Sequence, residues 1–211
     1  MNEIRPESRL YLASRSPRRR ELLTQVGIRF DLLMLRGMPR LDDAVDETWL
    51  PGETPEAYAR RVAHAKASFG TTLLMQRRLP PGLVLAADTA LDLDGEVIGK
   101  PRDEADAIDI LRRLSGRCHR VLTAVAVARP QAAGSLVRQY LSINEVRFRP
   151  LDEQEIRRYV RSGEPMDKAG AYGIQGRAAL FIESIRGSHS GIVGLPLNET
   201  ALLLREFGYP I

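Results

Sequence analysis

Cysteine is almost missing from this sequence: Cys118 stands alone, so no internal disulfide can form. It lies in a strand-like stretch and reads as a small core residue, not a nucleophile. A chain without disulfides suits a reducing compartment, and a cytoplasmic location is expected. Histidine is scarce too. His64, His119 and His189 are scattered without metal-ligand spacing, which argues against a structural zinc site. No apolar run approaches the roughly 18 residues that span a membrane. The opening stretch, MNEIRPESR, lacks the apolar centre of a signal peptide, so neither export nor a membrane partner is expected. Aromatics make up 6% of the chain and do not interleave with the basic residues as single-strand binders prefer, which disfavours nucleic acid as a partner. No internal repeat or low-complexity run is visible, and the Gly-rich P-loop spacing is missing.

What the chain has instead is arginine. Eleven of the first 61 residues are Arg, no lysine precedes Lys66, and the net charge is +4. Acidic partners follow from that, either a small phosphorylated substrate or nucleic acid. With 211 residues, 44% hydrophobic and 27% charged, the chain is long enough for a sizeable core. We expect an N-terminal extension over 1–9 and a single domain over 10–211.

The stretch LYLASRSPRRRELLTQVG, Leu10 to Gly27, organises the rest. Leu10–Ala13 reads as a buried strand, Ser14-Arg15-Ser16 as a break, Ser16 as an N-cap, Pro17 as a first helical residue and Gly27 as a stop. Arg18, Arg19 and Arg20 then occupy the first turn, where the helix dipole disfavours cations. Three arginines at a helix N-terminus make sense if an anion is the missing partner.

Farther on, Arg29–Leu35 reads as a strand, and 36–51 as an irregular segment with an acidic cluster of Asp42, Asp43, Asp46 and Glu47. Thr54-Pro55-Glu56 begins an amphipathic helix on Tyr58, Val62, Ala65 and Phe69, with Lys66 bordering its buried stripe as a snorkelling stem or a phosphate ligand. Leu83–Ala87 is an apolar strand ending at Asp88-Thr89. Asp94-Gly95 turns a hairpin between Leu91–Leu93 and Val97–Ile98. A helix starts at Asp103 and carries Ala107, Ile110, Leu111 and Leu114. Val121–Val127 and Val137–Phe148 pair as strands, Asp152 with Glu155 forms a capping box, and a last helix runs over Leu197–Phe207. Helices alternating with strands and hairpins predict a mixed α/β sheet.

Two places can carry chemistry. Asp88, an acid at the tip of an apolar strand, sits where α/β folds collect ligands and can hold Mg²⁺ or take a proton from water. KAGAYGIQG, Lys168 to Gly176, spaces Gly170, Gly173 and Gly176 by three, allowing close backbone approach to a ligand. Its Gln175 amide both donates and accepts, as reading a nucleobase edge requires.

LASRSPRRRELL, PEAYARRVAHAKA, AADT, IGKPRDEADAIDILRRLSGRCHRVLTAV, GEPMDKAGAYGIQG and GIVGLPLNETALLL, in this order, resemble the Maf family of nucleoside triphosphate pyrophosphatases over Leu10 to Gly208. The resemblance implies a Maf or ITPase-like α/β fold, with a mixed twisted sheet, flanking helices and two lobes around a nucleotide cleft. YGIQG at 172–176 resembles the branch acting on dTTP and UTP, with modified pyrimidine nucleotides as further substrates. It implies Asp88 as the catalytic acid that activates water. Arg18, Thr89 and Gln175 match positions linked to substrate choice; Ser14, Ser16, Arg19, Lys66 and Lys100 match residues around the phosphates. Lys168 joins the substrate-binding set. Glu47, with Asp88, is implied at a divalent cation, Mg²⁺ or Mn²⁺, and the family tends to form homodimers. The same resemblance carries an association with septum formation, leaving a nucleic-acid-binding or cell-division regulatory protein as the alternative. Two departures stand out: the segment between Phe30 and Glu47 is longer than usual, and Gly191 replaces a larger residue, which is expected to loosen its loop.

Overall fold

The computed structural model describes residues 9–33 and 45–211. Residues 1–8 of the expected 1–9 extension and most of the 36–46 segment lie outside them. Among the described residues the strands are β1 (Leu10–Leu12), β2 (Asp31–Leu32), β3 (Leu83–Leu93), β4 (Glu96–Ile98), β5 (Cys118–Pro130), β6 (Ser135–Phe148) and β7 (Ile182–Arg186). The helices are α1 (Pro17–Gln25), α2 (Pro55–Gln76), α3 (Glu104–Leu114), α4 (Glu153–Val160), α5 (His189–Val193) and α6 (Leu197–Glu206). The sheet runs β2-β1-β3-β5-β6-β7, with β4 added to β3. β1 lies parallel to β2 and β3, and the remaining pairings are antiparallel. The α/β fold with a mixed sheet and flanking helices is as the sequence pattern predicted.

Strand periodicity divides the core. Odd-numbered residues of β3 and β5 face α1 and α6 at one end, where Leu83, Leu85, Ala87, Val125 and Val127 pack with Leu22, Leu23, Leu203 and Leu204. At the other end of that face, Leu91, Leu93 and Val121 pack with α3, α4, Phe148 and Phe181. Between the two apolar clusters, and in neither, sit Thr89 and Thr123, which are register partners. The even-numbered residues Val84, Ala86 and Ala90 pack under the alanines of α2.

Several elements differ from the sequence reading. β3 does not end at Ala87; it continues through Asp88 and Thr89 to Leu93, because β5 pairs with it from Val84 to Asp92. The buried stripe of α2 is Ala59, Val62, Ala63, Lys66, Ala67, Gly70 and Leu73, so Lys66 lies on the stripe and not at its border. Cys118 is exposed at the start of β5 and is no core residue. β7 and α5 were not anticipated. Both are short, and both are held by contacts with β6 and β5 instead of by a strong local pattern.

Candidate active site

One edge of β3 changes partner along its length. β1 pairs with Leu83–Leu85, β4 pairs with Leu91–Leu93, and between them this edge carries no strand partner among the described residues. Asp88 and Thr89 fall in that gap, on opposite faces of the strand. A cleft of about 880 Å³ opens there. Changeover points of this kind collect ligands because strand ends and helix N-termini converge on them. Asp88 therefore lines the cleft for a different reason than expected: it is the sixth of eleven strand residues, not the tip.

Asp88 is 7% exposed and accepts a hydrogen bond from Lys66 Nζ at 2.9 Å; the same ammonium is 2.5 Å from Glu47 Oε1. Burial pulls the Lys66 pKa down, but the Asp88 and then the Glu47 carboxylates outweigh it and hold the ammonium above the ordinary lysine value. Removing both carboxylates would leave the buried ammonium uncompensated. The snorkelling reading of Lys66 fails here, because the ammonium is buried and paired at the cleft wall. α2 also fixes Glu47. The Tyr58 hydroxyl donates to Glu47 O at 3.1 Å, and Arg61 donates to Asp46 O at 2.9 Å and Thr48 O at 2.8 Å.

The α1 N-terminus forms the next wall. Ser16 is the N-cap, its side chain makes no capping bond, and no acid lies in the first turn, so the first N–H groups have no side-chain partner within the helix. Ser14 Oγ accepts from Ser16 N at 3.2 Å and from Arg19 Nη1 at 3.2 Å. Arg19 also donates through Nε to Gly194 O at 2.8 Å and through Nη2 to Thr89 Oγ1 at 3.4 Å. Thr89 and Thr123 share a 3.0 Å hydroxyl contact, and Thr123 donates to Gly191 O at 2.8 Å. α1, β3, β5 and α5 are thereby tied into one scaffold. Gly191 itself sits in close surroundings. A Cβ there would stand 2.8 Å from Ser142 Oγ and 2.9 Å from Asn144 Nδ2, so glycine permits close packing.

Lys100, exposed just beyond β4, and Lys168 complete the ring of cations. Lys168 Nζ donates to Glu164 O at 2.6 Å and to Asp167, which also lies 3.9 Å from Arg18. Gln175 lines the cleft from the exposed segment after Tyr172. The three glycines of that segment approach the protein's own side chains: Leu91 at Gly170, Lys168 at Gly173 and Glu164 at Gly176. Ser14, Ser16, Arg18, Arg19, Glu47, Lys66, Asp88, Thr89, Lys100, Lys168 and Gln175 all line this one cleft.

The Maf-like protein family matches residues 9–207. The chain belongs to that family. This Maf-like chain is 63% identical over 206 residues to a dTTP/UTP pyrophosphatase of Aromatoleum aromaticum, covering 97% of its own length and 98% of the relative's. It is 57% identical to a dTTP/UTP pyrophosphatase of Dechloromonas aromatica (95% and 98% covered) and 54% identical to one of Nitrosospira multiformis (95% and 95%).

Sequence reasoning missed several cleft residues. Arg15 is exposed at the mouth, and Tyr58, Asp167 and Glu164 line the walls. Tyr58 and Lys66 are eight residues apart on one helix face, a signal that was available. Thr123 was legible only as a strand residue, since its role depends on the β3–β5 register.

A divalent cation would meet two carboxylates in this cleft, Glu47 and Asp88. Glu47 Oε1 is buried and makes no hydrogen bond of good geometry, only the ion pair with Lys66. Two hard carboxylate oxygens meeting at one ammonium suit Mg²⁺ or Mn²⁺. Among the described residues no third acidic, His or Cys side chain joins them, so phosphate oxygens and water would complete the coordination.

Proposed function

We propose that this Maf-like chain is a pyrophosphatase for dTTP and UTP, with modified pyrimidine nucleotides as further substrates. Water attacks the α-phosphorus, the α–β phosphoanhydride bond breaks, and the nucleoside monophosphate and pyrophosphate leave. The observation that carries this reading is the buried Asp88–Lys66 pair, joined by the half-buried Glu47, facing a cleft with five further cations, Arg15, Arg18, Arg19, Lys100 and Lys168. The names borne by relatives 54–63% identical supply the substrates.

In this reading Asp88 takes the proton of the attacking water, and Lys66 holds its carboxylate in place through the 2.9 Å hydrogen bond. The α1 N–H groups, Ser14, Ser16, Arg18 and Arg19 hold the phosphates from one side, with Lys100 and Lys168 on the other. Gln175 meets the base, and Thr89 and Arg18 shape the choice of nucleotide. Glu47 and Asp88 would hold the divalent cation, which supplies charge neutralisation to the triphosphate. Residues 10–211 act as one catalytic domain, working as a homodimer in the cytoplasm, where the triphosphates are. Among the described residues no helix is long and apolar enough to cross a membrane.

Pyrophosphate release from dTTP, UTP, CTP, GTP and 7-methyl-GTP with Mg²⁺ or Mn²⁺ tests the reading. dTTP and UTP should turn over fastest, and Asp88→Asn should lower kcat by about 10²–10⁴-fold. No turnover of either, or an unimpaired Asn variant, would sink it. Preference for purines would overturn the role of Gln175.

A further inference from the structure

Glu164 takes no part in the hydrolysis described above, yet its side chain anchors the segment that presents Gln175. Its Oε2 accepts the Arg177 backbone N–H at 3.1 Å, and its Oε1 accepts the Tyr159 hydroxyl at 3.0 Å. The Arg177 amide, two residues after Gln175, is thus held by a carboxylate that the Tyr159 phenol fixes in place. The fit is close: a Cβ on Gly176 would lie 2.0 Å from Glu164 Oε1, and one on Gly173 would lie 2.8 Å from Lys168 Cε. The carboxylate therefore fills the hollow of this turn. The backbone oxygen of the same residue accepts Lys168 Nζ at 2.6 Å. A phosphate-side cation and the base-facing amide are joined through Glu164.

We propose that Glu164, acting with Tyr159, is a positioning residue that fixes the separation between Gln175 and the phosphate-binding cations, so that the cleft measures base and triphosphate together. This rests on the reading of Gln175 as the base contact. A loose segment would still bind phosphates through α1 and Lys100, but it would lose the contribution of the base.

Glu164→Gln and Tyr159→Phe in the full chain test it. Glutamine keeps the size but loses the charge and one acceptor oxygen, so the two charge-assisted bonds from Tyr159 and Arg177 cannot both be kept as they are. KM for dTTP and UTP should rise about tenfold in each variant, by more than kcat falls. Inhibition by inorganic tripolyphosphate, which has no base, should change less than about twofold. The double variant should be no worse than the worse single one, because both break the same clamp. An unchanged KM in both variants overturns the proposal, as does equal weakening towards nucleotide and tripolyphosphate. Hydrogen exchange without nucleotide reads the clamp independently of the reaction. The Arg177 amide of Glu164→Gln should exchange about tenfold faster while those of α4 stay as in the parent. Unchanged exchange overturns the proposal; faster exchange in a chain that hydrolyses neither dTTP nor UTP keeps the clamp and removes the pyrimidine assignment.

Discussion

His119 shows what burial does to a single titratable side chain in this fold. The ring is 2% exposed, packed edge-on against Phe148 and Tyr172, with Nε2 2.8 Å from the Tyr172 hydroxyl and Nδ1 without a hydrogen-bond partner. Burial pushes its pKa down from 6.5 to about 4. The folded value lies below the unfolded one, so between these limits the unfolded chain binds the extra proton. The neutral ring's stabilisation is complete above about pH 6.5 and is lost as pH falls towards 4, by about 3 kcal/mol in all. Denaturant melts at pH 7, 5.5 and 4.5 should show that slope, and His119→Phe should flatten it. From the sequence, His119 was only one of three scattered histidines; nothing local marks it as buried. Asp88 was legible at this scale because an acid after an apolar run stands out. Lys66 was half legible: its place near the apolar stripe of α2 could be read, but its partners lie 19 positions before and 22 after it.

At the scale of elements, α1 was the clearest reading, from the Ser16 cap and Pro17 to the stop before Gly27, and the structure has it as Pro17–Gln25. Its N-terminus lacks both an acidic residue and a capping side chain, so an anion should stabilise the fold. Tripolyphosphate at about 100 times its Kd should raise the melting temperature by roughly 5–10 °C, less at high salt. Arg19→Ala should remove more than half of that rise in a thermal-shift titration. The hairpin at Asp94-Gly95, the Asp103 start of α3 and the Asp152–Glu155 capping box were also readable, because caps and turns are local chemistry. The true extent of β3 was not. The apolar run stops at Asp88-Thr89, and only the pairing with β5 carries the strand across them.

For the molecule as a whole, lysine usage is the informative asymmetry. Three of the 31 basic residues are lysines, Lys66, Lys100 and Lys168, and all three line the cleft. An amine-directed acylating reagent should therefore mark few side chains besides the site. Lys100, exposed and without an ionic partner among the described residues, should react first. Lys168 and Lys66, whose side chains are 16% and 8% exposed, should follow in that order. Peptide mass spectrometry with and without tripolyphosphate checks this, and the phosphate should protect all three.

The sequence by itself determined the α/β class, most helix boundaries, the family and eleven of the residues that line the cleft. Those depend on periodicity, caps, turns and ordered motifs, which are read along the chain. Tertiary structure decided the rest. The site lies where the edge of β3 passes from β1 to β4, a fact of pairing with no local signature. Lys66 became a buried counter-ion because α2 lays it beside Asp88, and the glycines of 170–176 turned out to accommodate Leu91, Lys168 and Glu164. Contacts between residues tens of positions apart are set by sheet register and packing, and only the folded chain brings them within a few ångströms of one another.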